Sequence, residues 1–329
     1  MSNNIVLDIK NASHYFGSKN VLYNINLKIA QGQIVSVVGP SGCGKSTLFR
    51  AILGTHPLAE GAIYDCGNGD EPKLICGPNR HVGIVYQQYN LFPFLTAKEN
   101  VAFGLKLDET NYPFRIFHPF KWKALKAIHY SMAEKLLEKL HLDHAKDLYP
   151  GEMSGGMRQR VAIAQALIMK PRVLLLDEPF GALDESSREG LQNMLLTLYQ
   201  ENLEAKQAGK KPPYTILIVT HELNEAIYVA DRVIGLSQYW KKDNVFNIGT
   251  APFCNMPRYG EKLGSTIVYD KACPVFKPDC IRDFSVFLDQ KTELRKVVFD
   301  KTILQDPDEN VIFWDQVKNG MATGVMSLN

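Results

Sequence analysis

The chain has 329 residues, 45% hydrophobic and 22% charged, an ordinary globular composition. Its 37 Lys and Arg against 35 Asp and Glu leave a formal net charge of +2, which argues against an extended nucleic-acid footprint. No apolar run approaches the roughly 18–20 residues of a membrane span, and the opening MSNNIVLDIK lacks the basic start and apolar core of a secretory leader. The expectation is therefore a cytoplasmic chain of two domains, or one large domain with an appendage. Its six cysteines form no CxxC pair and are expected to be reduced and mostly buried; no HExxH is present.

In chain order, Val21, Tyr23, Ile25, Leu27 and Ile29 alternate with polar residues, which predicts a half-buried strand of an antiparallel sheet. Ile34 to Val38 is a short apolar run ending at Gly39 and predicts a central strand; Val82 to Tyr86 predicts another. From about Leu91 to Leu148 the period is helical, broken by a proline-bearing stretch. Gln159 to Met169 predicts a helix stopped before Pro171, and Val173 to Leu176 a buried strand. Leu191, Met194, Leu195 and Leu198 mark an amphipathic helix, and Ala208 to Pro213 a loop. Strands at Thr215–Thr220 and Val233–Leu236 complete an alternation that predicts an α/β core with a parallel sheet. Beyond about Gln238 the alternation ends; Lys296–Phe299 and Val311–Trp314 read as short strands.

Three segments carry chemistry. Gly39-Pro40-Ser41-Gly42-Cys43-Gly44-Lys45-Ser46 fits GxxxxGK[ST], follows a predicted strand and opens a helix at Thr47. Its glycines let backbone N–H groups converge on phosphate oxygens, with the helix N-terminus adding positive charge. Lys45 then reaches the β- and γ-phosphates and Ser46 a Mg²⁺ ion. Asp177 and Glu178 end an apolar strand. The first suits Mg²⁺ and the second, one residue on, suits polarising a water for in-line attack. Ser154-Gly155-Gly156 before a helix offers a hydroxyl, free N–H groups and a positive dipole end.

With those segments, MSGGMRQRVAIAQAL resembles the signature of ABC transporter ATP-binding subunits, LSGGQ in that family, and other family elements occur in order. Phe16 matches the aromatic that stacks on adenine, and Gln87 the Q-loop. Gly181-Ala182-Leu183-Asp184 matches the D-loop, and His221 the switch histidine. The likeness runs from about residue 5 to 238. It implies a P-loop NTPase core with an antiparallel β subdomain and an α-helical signature subdomain at about residues 89–170. The whole forms an ATP-binding domain over 1–238, with a C-terminal extension over 239–329. It implies ATP hydrolysis by a head-to-tail dimer with a second copy or a paralogous ATPase subunit. On this resemblance Lys45, Gln87, Glu178 and His221 are expected to act catalytically. It likewise implies that Ser46, Gln87 and Asp177 hold Mg²⁺. It implies that Phe16, Gly39 to Thr47 and Asp184 contact ATP, and that Ser154, Gly155 and Gly156 come from the partner. It also implies separate transmembrane permease subunits, a substrate-binding protein, no nucleic acid, and a peripheral position at the cytoplasmic face of the inner (plasma) membrane. A soluble ABC ATPase acting on nucleic acid or ribosomes is the alternative; those families carry a long coiled-coil insertion or two ATP sites, and neither is found here.

Met157 stands where the signature has glutamine, a pattern similar to nitrate, taurine and sulfonate importers. Tyr89 to Thr96 is an apolar, aromatic loop that suits a groove for a partner helix, or merely packs the helical subdomain. Residues 108–127 form an insertion in which Tyr112, Phe114, Phe117, Phe120 and Trp122 interleave with Arg115, Lys121, Lys123 and Lys126. The simpler reading is a flap whose aromatics cover the helical subdomain, because Pro113 and Pro119 interrupt any long helix; the other is a membrane surface or a partner near it. A second insertion, about Glu201 to Pro213, reads as a helix extension and a solvated loop.

Overall fold

The apolar runs of the core leave no polar face, so each strand must be covered on both sides. In the computed structural model, which describes residues 5–67, 71–181, 183–241, 264–278 and 284–319, they pair as one sheet. Its strands are β3 (Ile34–Val38), β6 (Val82–Val85), β7 (Val173–Asp177), β8 (Ile216–Val219), β9 (Arg232–Ser237) and β10 (Thr266–Ala272), in the order β10-β9-β3-β8-β7-β6. All neighbours are parallel except β10, which runs antiparallel to β9. A second, antiparallel sheet has the order β2-β1-β4-β5, from β1 (Ile5–Phe16), β2 (Lys19–Ala30), β4 (Glu60–Asp65) and β5 (Lys73–Leu74).

Two apolar cores cover the parallel sheet. Val35, Val37, Leu175 and Val219 face α1 (Lys45–Ile52) and the antiparallel sheet. Ile34, Val38, Leu174, Leu176 and Ile218 face the helical side. That side holds α2 (Ala97–Glu109), α4 (Pro119–Lys139), α5 (Gly155–Leu167), α6 (Glu185–Gln207) and α7 (Leu223–Val229), with the short α3 (Tyr112–Phe117) before α4. Thr96 starts α2 with a capping box: its hydroxyl accepts from Glu99 N, and the Glu99 carboxylate accepts from Thr96 N. Helix α5 begins at Gly155, four residues before its expected start. Ser154 caps it by accepting from Met157 N, so the two glycines lie inside the first turn rather than in a loop.

The polypeptide after Gln238 is tied to both sheets. Tyr23 N donates to Ser265 O and Ser265 N to Val21 O, before β10 continues along β9. The Trp240 ring stacks on Tyr23, and its indole N–H donates to Gly264 O. Two expectations there are corrected. Lys296 to Phe299 lies in a π-helical turn, Arg295–Phe299, continuing α8 (Leu288–Leu294), and Phe313–Lys318 is helix α9. Such short runs carry no decisive period: Val297 and Val298 are buried by winding, whereas Val311 makes a single parallel bridge to Asp270 of β10 before the chain winds into α9. Strand β10, with Thr266, Ile267, Val268 and Tyr269, had the composition of a strand and was not anticipated. Residues 242–263 and 320–329 of the tail lie outside the described residues, as do Cys254 and Cys280. Of the other cysteines, Cys43 and Cys273 are buried, Cys66 is partly buried and Cys76 is exposed.

Candidate nucleotide site

The parallel register fixes where chemistry gathers. Val37 aligns with Val219, and Val219 with Asp177, so Gly39, Thr220 and Glu178 leave neighbouring strands at the same C-terminal edge. In such sheets that edge is where ligands bind. Gln87 follows β6, whose Val85 aligns with Leu176.

The loop from Gly39 to Gly44 is shaped by its glycines. A Cβ on Gly39 would collide with Leu236 O, and Gly44 has φ +95° with β2 side chains Val21 and Leu22 against its α-carbon. No substituted residue fits there. Gly44 caps α1 without a side-chain bond, and the first turn has no acidic residue, so its N–H groups face the loop mouth free of competing carboxylates. Lys45 is only 7% exposed; its ammonium donates to Gly39 O at 2.7 Å and to Pro40 O at 3.2 Å. A buried ammonium held only by loop carbonyls has donors to offer a phosphate at the same mouth. Burial pushes the Cys43 thiol up, so it is a neutral packing group. Pro40 and Ser41 form the outer curve, and Ser46 and Thr47 enter the helix.

Ser46 Oγ lies 3.4 Å from Asp177 Oδ1, donating to it. Burial, with Glu178 beside it, pushes the Asp177 carboxyl up. Two oxygen donors, one an anion in a poorly solvated place, suit a hard cation such as Mg²⁺. Glu178 has φ +48°, a left-handed conformation rare for a side-chain-bearing residue, while its N–H still donates to Val219 O. The turn aims its carboxylate at His221, with Oε2 3.7 Å from Nδ1. A Cβ on Gly181 would sit 3.6 Å from Gln87 Nε2 and 3.9 Å from Glu178 Oε2, which brings Gln87 to the same mouth. Phe16, at the tip of the β1–β2 hairpin and 50% exposed, meets His14 edge-on at 4.6 Å and His56 at 5.9 Å. It leaves a ring face accessible.

The signature residues are not brought to this mouth. Ser154 is exposed and bonded to its own helix, and Gly156 is packed against Ser187 so closely that a Cβ would fall 2.5 Å from Ser187 Cβ. Among the described residues neither makes a hydrogen bond to the loop at 39–44. Ser187 in turn donates its N–H to Asp184, which caps α6 and whose carboxyl these bonds hold below the usual range. The signature and the D-loop segment are thus one packed unit; Ala182 lies outside the described residues.

Sequence reasoning missed the residues packed beside His221. Beside His221 is a pocket of about 180 Å³ whose lining includes Arg188, Thr220 and Glu225. Arg188 Nε lies 3.2 Å from Glu225 Oε1, and Thr220 Oγ1 donates to Glu225 Oε2. Arg188 sits four residues after Asp184 and Glu225 four after His221, a spacing that could have flagged both. A larger groove of about 360 Å³ opens between β6 and α5, lined by Arg80, Tyr86, Tyr89, Gln165 and Met169 among others. Asn100, also missed, shapes the adjacent loop: its amide donates to Phe92 O, Leu95 O and Thr96 O and accepts from Phe92 N.

The family pattern described as ABC transporter matches residues 22–181. The chain is 39% identical over 237 residues to the aliphatic sulfonates import ATP-binding protein SsuB of Bacillus anthracis, covering 71% of this chain and 82% of that one. It is 40% identical over 230 residues to the sulfate/thiosulfate import ATP-binding protein CysA of Nephroselmis olivacea, covering 70% of this chain but 60% of that relative's length. Among solved structures it is similar to a dimeric ATP-binding cassette in a post-hydrolysis state bound to ADP and Pi. That likeness has TM-score 0.53 and 29% identity, over 69% of this chain and 93% of that one. The likeness spans the phosphate loop, the strand-end carboxylates and the signature helix alike, and on it the chain belongs to the ABC transporter family as one of its ATP-binding cassettes.

Proposed function

We propose that this chain binds and hydrolyses ATP as the motor subunit of an importer, acting in a dimer with a second copy or a paralogous subunit. Loop 39–47 binds the phosphates, the Lys45 ammonium exchanging its carbonyl partners for β- and γ-phosphate oxygens, and Phe16 stacks on adenine. Ser46, Asp177 and Gln87 would hold Mg²⁺, which when bound would neutralise phosphate charge. Glu178 accepts the proton of the attacking water, and His221, beside it, steadies the γ-phosphate. Ser154, Gly155 and Gly156 of the partner cover the γ-phosphate from the other side, with Asp184 at the junction.

Residues 1–238 are the motor domain, with a helical subdomain at about 89–170, and 239–329 are an extension of it. No helix among the described residues is long and apolar enough to cross a membrane. In this reading the channel is made by separate permease subunits, which dock in the groove lined by Arg80, Tyr89 and Met169. The subunit is then peripheral at the cytoplasmic face of the inner (plasma) membrane, and a substrate-binding protein completes the complex. Relatives named for sulfate, thiosulfate and aliphatic sulfonates support a small sulfur oxyanion as cargo.

The observation that carries this reading is the left-handed Glu178, turned to His221 one residue beyond the Ser46–Asp177 pair. Glu178→Gln keeps the shape and removes the base. It is expected to lower steady-state ATP hydrolysis about 10²–10⁴-fold while ATP binding persists and light scattering detects an ATP-dependent dimer. Hydrolysis at the parental rate would exclude Glu178 as the base.

A further inference from the structure

The insertion between α2 and α4 is not a flap over the helical subdomain. Helix α3 and the start of α4 form a corner at His118-Pro119 whose apolar side chains face outward: Tyr112 is 74% exposed, Phe117 76% and Phe120 89%. Ile116 and Ile128 are also exposed, and Phe120, Ala124, Ala127 and Ile128 recur at i, i+4, i+7 and i+8 on one uncovered stripe of α4. The corner is held rigidly from beneath. Arg115 donates to Lys106 O, Thr110 O and Thr110 Oγ1 and lies over the Trp122 ring, and Asn111 caps α3 by accepting from Phe114 N. A firmly anchored corner that exposes large aromatics needs a cover.

Charge selects the cover. From Thr110 to Ala133 there is no Asp or Glu, while Arg115, Lys121, Lys123 and Lys126 are all present. Arg115 is engaged as above and Lys126 lies over the Tyr130 ring; Lys121 and Lys123 are exposed and make no ion pair among the described residues. We propose that this corner is a lipid contact: Phe117 and Phe120 enter the headgroup region of an anionic leaflet while Lys121 and Lys123 meet its phosphates. Position agrees, resting on the proposed function: Arg80, a wall of the permease groove, pairs with Asp108 at the root of the insertion at 3.5 Å.

The test is flotation of the full chain with phosphatidylcholine vesicles, with and without about a third of phosphatidylglycerol. Binding is expected only to the anionic vesicles and should fall as salt is raised. Lys121→Glu with Lys123→Glu should weaken it at least about tenfold, and Phe117→Ser with Phe120→Ser should abolish it. A Phe120→Trp variant should show blue-shifted emission on the same vesicles. All these side chains are solvent-exposed, so the variants fold, and retained ATP hydrolysis verifies it. Flotation that survives both double substitutions, or no flotation at low salt, overturns the proposal. Capture of the corner by a membrane protein in detergent, without vesicle binding, gives it to a protein partner and overturns it equally. Vesicle binding needs no nucleotide, so its failure leaves the ATPase reading standing, and failure of that reading leaves this one.

Discussion

At the scale of the residue, the unexpected feature is a carboxylate rather than a loop. Glu225 is buried under His221, with Arg188 on one oxygen and Thr220 on the other, and Glu222 and His221 add their fields. Burial pushes its carboxyl up to about 7, against the pull of Arg188, whose Nε–H is close to the carboxylate but not aimed at it. The folded state therefore holds this proton after the unfolded chain has released it. Stability from this group is full below about 4.5, the ordinary glutamate value, and is lost as pH rises through about 7. Asp231, with its carboxyl pushed up to about 6 by burial, acts in the same direction and masks the effect in a single titration. A difference measurement removes it. Glu225→Gln keeps a hydrogen-bonding side chain without the charge. Its melting temperature minus the parental one should become more positive between pH 4.5 and 7 and level off above. A flat difference would mean that Glu225 ionises normally.

At the scale of the element, what was legible depended on whether local pattern alone decides the conformation. The short runs at Ile34–Val38 and Val173–Leu176 are bounded by Gly39-Pro40 and by Pro171 and Pro179, which leaves no length for a helix, and they are β3 and β7. The phosphate loop was legible because its glycines are demanded locally, by φ and by the approach of β2. The π-turn and α9 were not, because their conformation is set by partners distant in sequence, and the outward corner of α3–α4 was not, because apolar side chains alone read as cover for the core. Helix α9 shows how. Phe313 stacks 4.0 Å over the Arg232 guanidinium and Trp314 5.4 Å, while Arg232 donates in a fork to Asp270 on β10 and to Lys28 O on β2. Three elements of the extension and core thus meet on one buried cation, and no window of sequence contains it. Removing one partner of such a pair leaves a charge without water or counter-charge. Asp270→Ala should cost about 3–5 kcal/mol in urea unfolding. Replacing both, as Arg232→Met with Asp270→Leu, should return most of that loss. If the single variant unfolds like the parent, the extension does not depend on this pair.

At the scale of the whole molecule, the proposed function assigns both halves of a phosphate site to one chain, and the fold does not join them. The loop at 39–47, Asp177, Glu178 and His221 share one strand edge, whereas Ser154 faces solvent at the start of α5, tied to α6 through Gly156 and Ser187. A two-fold dimer joins each half to its complement in the other copy, and both sites then form together. That geometry makes a prediction that a site contained within one chain would fail. Lys45→Ala disables the loop half. Ser154→Asp keeps the helix cap, since aspartate caps as well as serine, but sets an anion where the partner's γ-phosphate must lie. Each variant alone should hydrolyse almost no ATP. Mixed in equal amounts, half the dimers pair one variant with the other, and each of these has one of its two sites intact. If the sites work independently, hydrolysis should return to about a quarter of the parental rate. A chain bearing both substitutions, mixed with either single variant, has no intact site and should stay inactive. Recovery on mixing the single variants requires a site built from two chains. Its absence, with both variants folded and dimeric by light scattering, would place the signature and the loop in the same chain's site and remove the basis for the head-to-tail dimer.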